Sequence, residues 1–481
     1  MRYILAIDQS TSATKAFLYD EDGVPRARNS LPHRQIISGG GMVSHDPMEI
    51  YRNTVDVVKG LVEDSGIGKS DIAALGISSQ RETALVWDRT TGLQVNDAVV
   101  WHCVRGKPQC DRIAEFADEI QAITGLALSP YFSAAKIAWI LENAVNAPAN
   151  NLCAGTMDSW LIFKLTGGRV FATDYSNASR TQLFDINRLQ WSSEACSLFG
   201  IDPAILPEIK YSDAYFGETD FEGLFERPIP IRSAMGDSHA SLFGHGCIKP
   251  GMVKATYGTG SSIMMHIGGK PIFNNKGLAT SLAWNMDGNA EYVLEGNINY
   301  SCAVMEWLVE IGLLASAKDA GAAAAKANPR DTTYLVPAFS GLGAPHWKSD
   351  AKAVLSGMTR TTGRAEIVRA AEECIAYQIY DIISIMREES GVAINELRAD
   401  GGATKDRVLM QFQSDILDAR VAAANYGELS AFGAAVAAGM AIGLYDKTVI
   451  GGGGHTTYAP AMDKELRNNK LAGWREALGR C

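Results

Sequence analysis

The sequence predicts an α/β protein made of two similar domains that face each other. Both halves of the 481-residue chain alternate apolar, strand-like runs with helical patterns, which is typical of sheets covered by helices. In addition, residues 2–20 and 251–269 share one plan, in which a polar tip separates two apolar runs. This repeat predicts a duplicated architecture with a phosphate held between the domains. Glycine-rich breakers near Gly246 suggest domains of residues 1–246 and 247–481.

The first of these stretches reads as a β-hairpin. Residues 3–7 and 16–19 are apolar, and the hydroxyl-rich tip between them begins with Asp8. Successive backbone N–H groups in such a tip can hold a phosphate, and a carboxylate at its mouth can hold a hydrated divalent cation. Most hydroxyl-rich tips are only turns. The phosphate interpretation therefore depends on the recurrence of the plan at residues 256–262.

Further elements of the first half follow in order. Asp46 and Pro47 predict an N-cap and the first turn of a helix that reaches about residue 63. Strands are predicted at 72–77, 84–87 and 99–101, and helices at 111–124 and 133–142. Charged residues lie between the first two of these strands, at a strand end, where α/β folds place ligands.

The second half continues the alternation. Strands are predicted at 334–337 and 396–400, and helices at 365–390 and 408–417. Residues 429–445 carry no charge and are rich in Ala and Gly. Because this run is short for a membrane span, it predicts a buried helix packed closely through its small residues, and no membrane insertion.

Composition excludes several classes of partner and site. The net charge of −10 and the lack of a Lys/Arg cluster argue against nucleic-acid binding. The eight cysteines are scattered without a CxxC pair, which indicates reduced thiols rather than a disulfide framework or a zinc site. The N-terminus does not resemble a signal peptide, so we expect a cytoplasmic protein.

Several residues have both a chemical and a structural interpretation. Asp237 follows an apolar run and is either a helix N-cap or a base that accepts a proton from a substrate hydroxyl. Arg81 and Glu82 suit a polyhydroxylated substrate, which needs donors and acceptors, or form an exposed ion pair. Trp101 and Tyr131 pack against the carbon chain of a sugar or polyol, or belong to the core.

Signals for a nucleotide are weaker. Gly401 and Gly402 follow a predicted strand, and glycine there lets the backbone approach a nucleotide. The chain contains no Walker A motif and no GxGxxG fingerprint, so a phosphate site must be built in another way. His102, His239 and His245 lack metal-ligand spacing and are interpreted as structural.

Taken together and in order, these motifs resemble the FGGY carbohydrate kinases, and within that family the branch that phosphorylates glycerol. The resemblance spans essentially the whole chain. It implies the two-domain actin/hexokinase-type ATPase fold, with ribonuclease H-like duplicated domains and a central cleft for ATP and substrate. The motifs that carry it include SHDPMEIY, ISSQRETALVW, LSPYFSAAKIAWILEN, TDYSNASRTQLF, AMGDSHASLFG, ATYGTGS and ADGGATKDRVLMQFQSDIL.

The resemblance also implies an activity and a set of site residues. The activity is ATP-dependent phosphorylation of a primary hydroxyl of glycerol or a closely related small polyol, with Asp237 as the general base and a homodimer as the assembly. Substrate contacts are implied for Arg81, Glu82, Trp101, Tyr131, Asp237, Ser238 and Ser262. Nucleotide contacts are implied for Thr11, Ser12, Ala13, Lys15, Thr259, Cys302, Glu306, Gly402 and Asp406. Mg²⁺ is implied near Asp8 and Asp237, through water.

Two departures from the family pattern concern the acceptor. Ser238 stands where the glycerol-phosphorylating enzymes have Gln, and Ser262 stands where they have Phe. Both changes remove bulk, so the pocket is expected to be roomier and more polar. Loss of a large apolar contact is worth on the order of 1–3 kcal/mol in discrimination. A four- or five-carbon polyol or ketose is therefore the alternative acceptor.

Other departures lie at the nucleotide contacts. Lys15, Cys302, Glu306 and Asp406 stand for Arg, Gly, Gln and Asn of the family. They affect the expected adenosine contacts more than the phosphate contacts. A function of a different class, a non-catalytic sugar sensor or a chaperone-like ATPase on the same fold, also stays open at this point.

Overall fold

The computed structural model describes residues 1–144, 151–274, 276–346, 348 and 350–481. Two large mixed sheets organise these residues, one in each half of the chain. The first has six strands in the order β14-β15-β6-β1-β2-β3, and the second has seven in the order β18-β19-β17-β16-β22-β23-β24. Each predicted phosphate hairpin lies within one of these sheets. The predicted α/β class and the duplicated plan are confirmed.

The strands are numbered in chain order. Among the described residues they are β1 (Tyr3–Gln9), β2 (Ala13–Tyr19), β3 (Pro25–Pro32), β4 (Ile36–Ser38), β5 (Met42–His45), β6 (Ile72–Ser79), β7 (Ala84–Asp88), β8 (Ala98–Val99), β9 (Leu152–Thr156), β10 (Ala172–Asp174), β11 (Phe184–Asp185), β12 (Gln190–Trp191), β13 (Glu208–Lys210), β14 (Glu218–Thr219), β15 (Ile229–Gly236), β16 (Val253–Tyr257), β17 (Ser261–Gly268), β18 (Ala279–Met286), β19 (Asn289–Ile298), β20 (Tyr334–Val336), β21 (Val354–Ser356), β22 (Glu396–Gly401), β23 (Arg420–Ala424) and β24 (His455–Tyr458).

The α-helices are numbered in the same way. They are α1 (Pro47–Ser65), α2 (Lys107–Arg112), α3 (Ala117–Thr124), α4 (Ser133–Asn143), α5 (Met157–Leu165), α6 (Tyr175–Ala178), α7 (Ser193–Leu198), α8 (Asp237–Gly244), α9 (Ala303–Glu310), α10 (Ala320–Ala324), α11 (Arg364–Ser390), α12 (Arg407–Leu417), α13 (Leu429–Ala441) and α14 (Lys464–Leu478). Short 3₁₀ turns lie at Gly39–Gly41, Lys69–Asp71, Val104–Gly106, Ala114–Phe116, Pro203–Ile205, Ala317–Asp319 and Gly402–Lys405.

Strand β1 is the centre of the first sheet. It pairs with β6 in parallel and with β2 antiparallel, and six of its seven residues are buried. A strand covered on both faces needs a nearly continuous apolar run, which explains the composition of residues 3–7. The register places Asp8 opposite Lys15, next to the turn of the hairpin. Both charged side chains therefore project from the same end of the sheet.

The two halves meet where α8 crosses α13. Helix α13 belongs to the second half of the chain but packs on α8 and on strands β1, β6 and β15 of the first sheet. A side chain at Gly433 would collide with the carbonyl of Ala240, and a Cβ at Gly244 would lie 2.6 Å from the carbonyl oxygen of Leu429. The small residues predicted to allow close packing are thus required at this crossing. No helix in the described part of the chain is long and apolar enough to cross a membrane.

Two predicted elements differ from the structure. The helix predicted at 111–124 is divided into α2 and α3, because Ile113 leaves the helical region (φ −115°, ψ 21°) and a 3₁₀ turn follows it. The strand predicted at 99–101 ends at Val99. A hydrogen bond of 2.9 Å from the N–H of Cys103 to the carbonyl of Val100 closes a turn there and takes Trp101 out of the strand. In contrast, Asp46 caps α1 as predicted and accepts from the N–H of Met48 at 2.8 Å.

Candidate active site

The first hairpin ends in a short turn at residues 10–12. Both the N–H and the hydroxyl of Ser10 donate to the carbonyl of Ala13, at 2.9 Å each. His33, just after β3, donates its N–H to the carbonyl of Ser12 at 3.1 Å, and its Nε2 lies 2.9 Å from the carbonyl oxygen of Thr11. The predicted phosphate contacts at the tip are therefore held in a fixed and accessible turn.

The second hairpin is fixed in a comparable way. Its turn, at residues 258–260, is closed by a bond of 3.0 Å from the N–H of Gly258 to the carbonyl of Gly260. The N–H of Cys302, at the start of α9, donates to the carbonyl of Gly258 at 3.0 Å. A Cβ at Gly260 would lie 2.5 Å from the carbonyl oxygen of Ile298. The tip, with Thr259 exposed, is thus joined to the beginning of α9.

The end of β22 supplies a third backbone approach. Gly401 has a left-handed conformation (φ 99°), and a side chain there would collide with the carbonyl of Tyr257. Gly402 faces open space instead. Asp406 caps α12 and accepts from the N–H of Val408 at 2.9 Å. Gly402 therefore leaves room for a ligand, whereas the carboxylate of Asp406 is already engaged with the helix.

A cavity of about 1090 Å³ lies between the two halves. Residues from both halves line it, including five of the predicted site residues: Asp8, Lys15, Asp237, Ser238 and Gly402. The structure does not bring the rest of the predicted set into the walls of this cavity, in the part of the chain that it describes. These are Thr11, Ser12, Ala13, Arg81, Glu82, Trp101, Tyr131, Thr259, Ser262, Cys302, Glu306 and Asp406.

A buried cluster of four charges lies beside Asp237. Arg81 donates through Nη1 and Nη2 to the two carboxylate oxygens of Glu295, at 2.8 and 2.7 Å. Arg180 donates through Nε to Glu82 at 2.6 Å and lies 2.9 Å from Glu295. All four side chains are almost completely buried. Burial alone would raise the pKa of Glu295, but the guanidinium groups of Arg180 and Arg81 hold it well below its usual value.

The backbone conformation of Glu82 lets Arg81 and Glu82 reach the same buried charge cluster. Its φ of 59° is unusual for a residue other than glycine, and it follows the end of β6. On a regular strand the side chains of Arg81 and Glu82 would point to opposite faces. Here Arg81 Nε lies 3.9 Å from Glu82 Oε1, so both reach the same buried site. The exposed ion pair that the sequence left open does not form.

Asp237 is the first residue of α8 and directly follows β15. The N-cap is Gly236, so the structural alternative for Asp237 is wrong. Its Oδ1 accepts from the N–H of Ser238 at 2.6 Å and lies 3.3 Å from Arg81 Nε. A Cβ at Gly236 would lie 2.8 Å from the side-chain carbons of Arg81. Glycine there lets the guanidinium pass close to the strand end, and about one third of the Asp237 side chain stays exposed to the cavity.

Two aromatic residues connect this cluster to the first hairpin. The rings of Trp101 and Tyr131 are 5.4 Å apart at 63°, and both side chains are half-buried rather than part of the core. Trp101 Nε1 donates to the hydroxyl of Thr11 at 3.0 Å. The buried Lys136 donates to the carbonyls of Tyr131 and Phe132, which fixes the backbone before α4. A hydrogen bond therefore joins the aromatic wall to the phosphate tip.

Asp8 places a buried carboxylate beside the cavity, and its oxygens are of the kind that Mg²⁺ prefers. Burial raises the pKa of its carboxyl to about 6, Lys15 partly opposes this shift, and Glu428 and Asp237 add to it. The hydroxyl of Ser78 donates to Asp8 at 3.1 Å, and Lys15 Nζ lies 3.7 Å away. A cation would relieve the repulsion between these carboxylates, and Mg²⁺ prefers such oxygens. No group of three or more His, Cys, Asp or Glu suited to a metal occurs among the described residues, so water and phosphate would complete its coordination.

The two serines that depart from the family pattern lie in different places. Ser238 lines the cavity next to Asp237. Ser262 is on β17, and its Oγ lies 3.5 Å from Glu295 Oε1. Asn297 donates to the same carboxylate oxygen at 3.3 Å. Ser262 thus belongs to the edge of the buried charge cluster, where it adds a hydroxyl.

Sequence reasoning missed three charged residues of this site. Glu295 and Arg180 pair with the predicted Arg81 and Glu82, and Lys254 lines the cavity. A signal was present, because Glu295 directly follows the apolar run Tyr292–Leu294 and Lys254 lies between Val253 and Ala255. A charge within a buried strand needs a partner or a ligand.

Comparison with known proteins identifies the family. The N-terminal domain model of the FGGY family of carbohydrate kinases matches residues 3–244. The C-terminal domain model of the same family matches residues 253–442. The chain belongs to the FGGY carbohydrate kinases. It is accordingly a kinase, with ATP as the co-substrate.

Individual relatives of this FGGY kinase cover it almost completely. It is 45% identical to glycerol kinase 1 of Thermotoga maritima over 490 aligned residues, covering 99% of each chain. It is 42% identical to the glycerol kinase of a Thermoanaerobacter species, covering 100% of this chain and 98% of the relative. The structure of Plasmodium falciparum glycerol kinase with ADP superposes with a TM-score of 0.93 at 34% identity, over 100% of this chain and 98% of that one.

A more distant structure confirms the fold of this FGGY kinase. A ligand-bound xylulose kinase from Lactobacillus acidophilus has a TM-score of 0.90 at 22% identity and covers 100% of this chain and 98% of that one. The fold is therefore the two-domain actin/hexokinase-like fold expected from the sequence.

Proposed function

We propose that this chain transfers the γ-phosphoryl group of ATP to a primary hydroxyl of glycerol or a closely related small polyol. The observation that carries the proposal is the contact between Asp237 and the buried cluster of Arg81 and Glu295, at the wall of the cavity between the halves. Relatives named glycerol kinase, 41–45% identical over nearly the whole chain, support the same acceptor.

Each residue of the acceptor site would have a distinct role. Arg81, Glu82 and Tyr131 would hold hydroxyl groups, and Trp101 would pack on the carbon chain. Asp237 would accept the proton of the attacking hydroxyl as the new P–O bond forms. Its exposed position at the start of α8 and its contact with Arg81 support this role. Since Glu295 engages both Nη groups of Arg81, the guanidinium is fixed before the acceptor arrives.

The nucleotide and its metal would bind between the hairpins. The proposed contacts to the nucleotide are Thr11, Ser12, Ala13, Lys15, Thr259, Cys302, Glu306, Gly402 and Asp406. Asp8 and Asp237 would hold Mg²⁺ through water, and the ion would neutralise charge on the phosphates. The open space at Gly402 and the carboxylates facing the cavity support this arrangement.

The chain would close on its substrates as two units, residues 1–246 and 247–481. The crossing of α8 and α13 joins the two units through a close, glycine-mediated contact, and we place the hinge beside it, near Gly246. Closure would exclude water, which otherwise competes with the acceptor for the phosphoryl group. Small-angle scattering with and without ATP and acceptor would measure this change, and identical curves would contradict it.

A longer acceptor, a four- or five-carbon polyol or ketose, is the second candidate. The position of Ser262 favours it, since a hydroxyl beside Glu295 and Asn297 suits an additional substrate hydroxyl. Ser238, on the cavity wall next to Asp237, has a small side chain that leaves room for a larger acceptor. A non-catalytic sugar sensor or a chaperone-like ATPase, also considered from the sequence, has no such observation in its favour.

We further propose a homodimer in the cytoplasm. All eight cysteines are free, which suits a reducing compartment, and the family resemblance suggests the dimer. Analytical ultracentrifugation measures the assembly, and a monomer at micromolar concentration would contradict it.

A single assay distinguishes the two acceptors. ATP consumption is measured with glycerol, tetritols, pentitols and ketopentoses, each over a range of concentrations. The highest kcat/KM with glycerol supports the first proposal and shows that the two serines are tolerated. A clear preference for a longer acceptor favours the second candidate. ATP consumption that no acceptor increases would contradict both.

A further inference from the structure

Lys254 is a cavity residue to which the proposed mechanism gives no role. Lys254 lies on β16 and is completely buried, yet it lines the cavity together with Asp8 and Asp237. Its Nζ donates to the hydroxyl of Thr256 at 2.9 Å. Within the described residues, no carboxylate lies within 4.0 Å of it. A buried ammonium with no carboxylate in direct contact is costly, so an anionic ligand in the adjoining cavity would stabilise it.

Strand register shows what lies on either side of Lys254. Residues paired directly across a sheet share one face. On one side, Lys254 pairs with Met264, and Met264 pairs with Glu295. On the other side, Lys254 pairs with Arg398, one pleat from Asp400 on the same face. The row therefore runs from the acceptor cluster at one end to the strand that leads into the nucleotide glycines at the other.

Lys254 occupies the middle of this row. Burial and the guanidinium of Arg81 lower the pKa of Lys254, whereas Asp400, Glu295 and Asp237 act in the opposite direction. Its ammonium therefore lies within electrostatic reach of both ends of the cleft. Asp400 itself is engaged by Ser241, which donates to it at 3.0 Å. The phosphoryl group must travel between the nucleotide and the acceptor, and Lys254 borders that path.

We propose that Lys254 is a catalytic residue whose ammonium group contacts the phosphoryl group during its transfer from ATP to the acceptor. In this step, which rests on the proposed function, the bond from the γ-phosphorus to the β,γ-bridging oxygen breaks, and its electron pair leaves with ADP. The acceptor oxygen forms the new bond and its proton passes to Asp237. Lys254 donates to non-bridging oxygens throughout and keeps its proton, which stabilises the charge of the transition state.

The test uses Lys254→Met, which keeps the length of the side chain and removes the charge. Met264→Leu, a buried change directly opposite on the next strand, is the matched control. Wild-type turnover on glycerol is measured first and tests the proposed function on its own. We expect Lys254→Met to lower kcat on the order of 10²- to 10³-fold. The affinities for ADP and glycerol should change less than about 3-fold, and Met264→Leu should stay within about 2-fold of wild type.

A transition-state mimic separates this role from a structural one. Magnesium ADP with aluminium fluoride and glycerol imitates the phosphoryl group in transfer, and its affinity is measured by calorimetry. Lys254→Met should lose affinity for this complex on the order of 10²-fold, beyond any loss for ADP alone. Equal losses for ADP and for the complex, or a kcat within about 3-fold of wild type, would overturn the proposal.

If Lys254→Met does not fold, affinity labelling of the wild-type protein tests the proposal. Adenosine diphosphopyridoxal carries an aldehyde in place of the γ-phosphate. The aldehyde forms an imine with a contacting lysine, with loss of water, and borohydride reduces the imine to a stable amine. Peptide mapping should find the label on Lys254. An excess of magnesium ATP should decrease the amount of this label, because it competes for the same site. Labelling confined to other lysines of the cleft, such as Lys15 or Lys405, would overturn the proposal.

Discussion

The acceptor end and the nucleotide end of the cleft differ in how complete they are without ligands. At the acceptor end, Arg81, Glu82, Arg180 and Glu295 are buried and paired with one another. At the nucleotide end, Thr259 and Glu306 are exposed and Gly402 faces open space, although Lys15, Cys302 and Asp406 are half-buried. Preorganised charges cannot be exchanged without leaving a partner unpaired, whereas solvated side chains can. A substitution within the acceptor cluster should therefore cost more stability than one at an exposed nucleotide contact such as Glu306.

Breaking the acceptor cluster should have the largest effect on stability. Glu295→Gln leaves two buried guanidinium groups without their shared carboxylate, so we expect the free energy of unfolding to fall by about 3–5 kcal/mol. Urea unfolding at pH 7 measures the loss. Glu306→Gln is the matched control from the exposed end and should change stability by less than about 0.5 kcal/mol. Similar values for the two variants would contradict the comparison.

The buried carboxylate of Asp8 predicts a pH dependence of the opposite sign to that of most acidic residues. Its pKa rises from 3.8 in the unfolded chain to about 6 in the fold. The stabilising contribution of Asp8 to the free energy of unfolding is therefore fully present below pH 3.8 and is lost as the pH rises through 6. At pH 8, Asp8→Asn should therefore raise the free energy of unfolding of the ligand-free protein by on the order of 2–3 kcal/mol. The difference should disappear near pH 4. Thermal unfolding across this range measures it.

The same variant should lose phosphoryl transfer, because Asp8 is the proposed magnesium ligand. In wild type, protons should compete with Mg²⁺ for the carboxyl of Asp8, so the affinity for the metal should fall as the pH decreases through about 6. A stability of Asp8→Asn at pH 8 equal to or lower than that of wild type would contradict the assigned burial cost.

The hydrogen bond that joins the acceptor end of the cleft to the phosphate tip can be removed selectively. Trp101→Phe keeps most of the aromatic surface but removes the hydrogen bond from Nε1 to Thr11. Such a bond contributes about 0.5–1.5 kcal/mol, so we expect kcat/KM for the acceptor to fall roughly 3- to 10-fold. A double-mutant cycle with Thr11→Val isolates the bond. If the two changes were additive, the bond would not couple the aromatic wall to the phosphate tip.

The smallest effect is expected at the exposed nucleotide end. Glu306→Gln removes one negative charge near the proposed nucleotide site, so ADP affinity should rise by about 2-fold. Isothermal titration with magnesium ADP measures it. A change of more than about 10-fold would show that this end is as finely organised as the acceptor end.

Local patterns predicted the parts of the site that lie within single elements. Strand alternation and turn residues are local signals, and they predicted both hairpins, the glycines at the end of β22 and the start of α8 at Asp237. The partner of Arg81 could not be predicted in this way, because Glu295 is 214 residues away and only the folded chain brings the two together. The role of Asp406 as the cap of α12 and the break at Ile113 likewise depend on backbone geometry.

The most direct test of the account is the separation of binding from chemistry at Asp237. Asp237→Asn keeps the size of the side chain and removes its ability to accept a proton. Single-turnover transfer from radiolabelled ATP to glycerol is measured beside glycerol affinity. We expect the rate to fall on the order of 10³-fold or more while glycerol affinity changes less than about 3-fold. A variant that keeps more than about one tenth of wild-type turnover would contradict the role of Asp237 as the base.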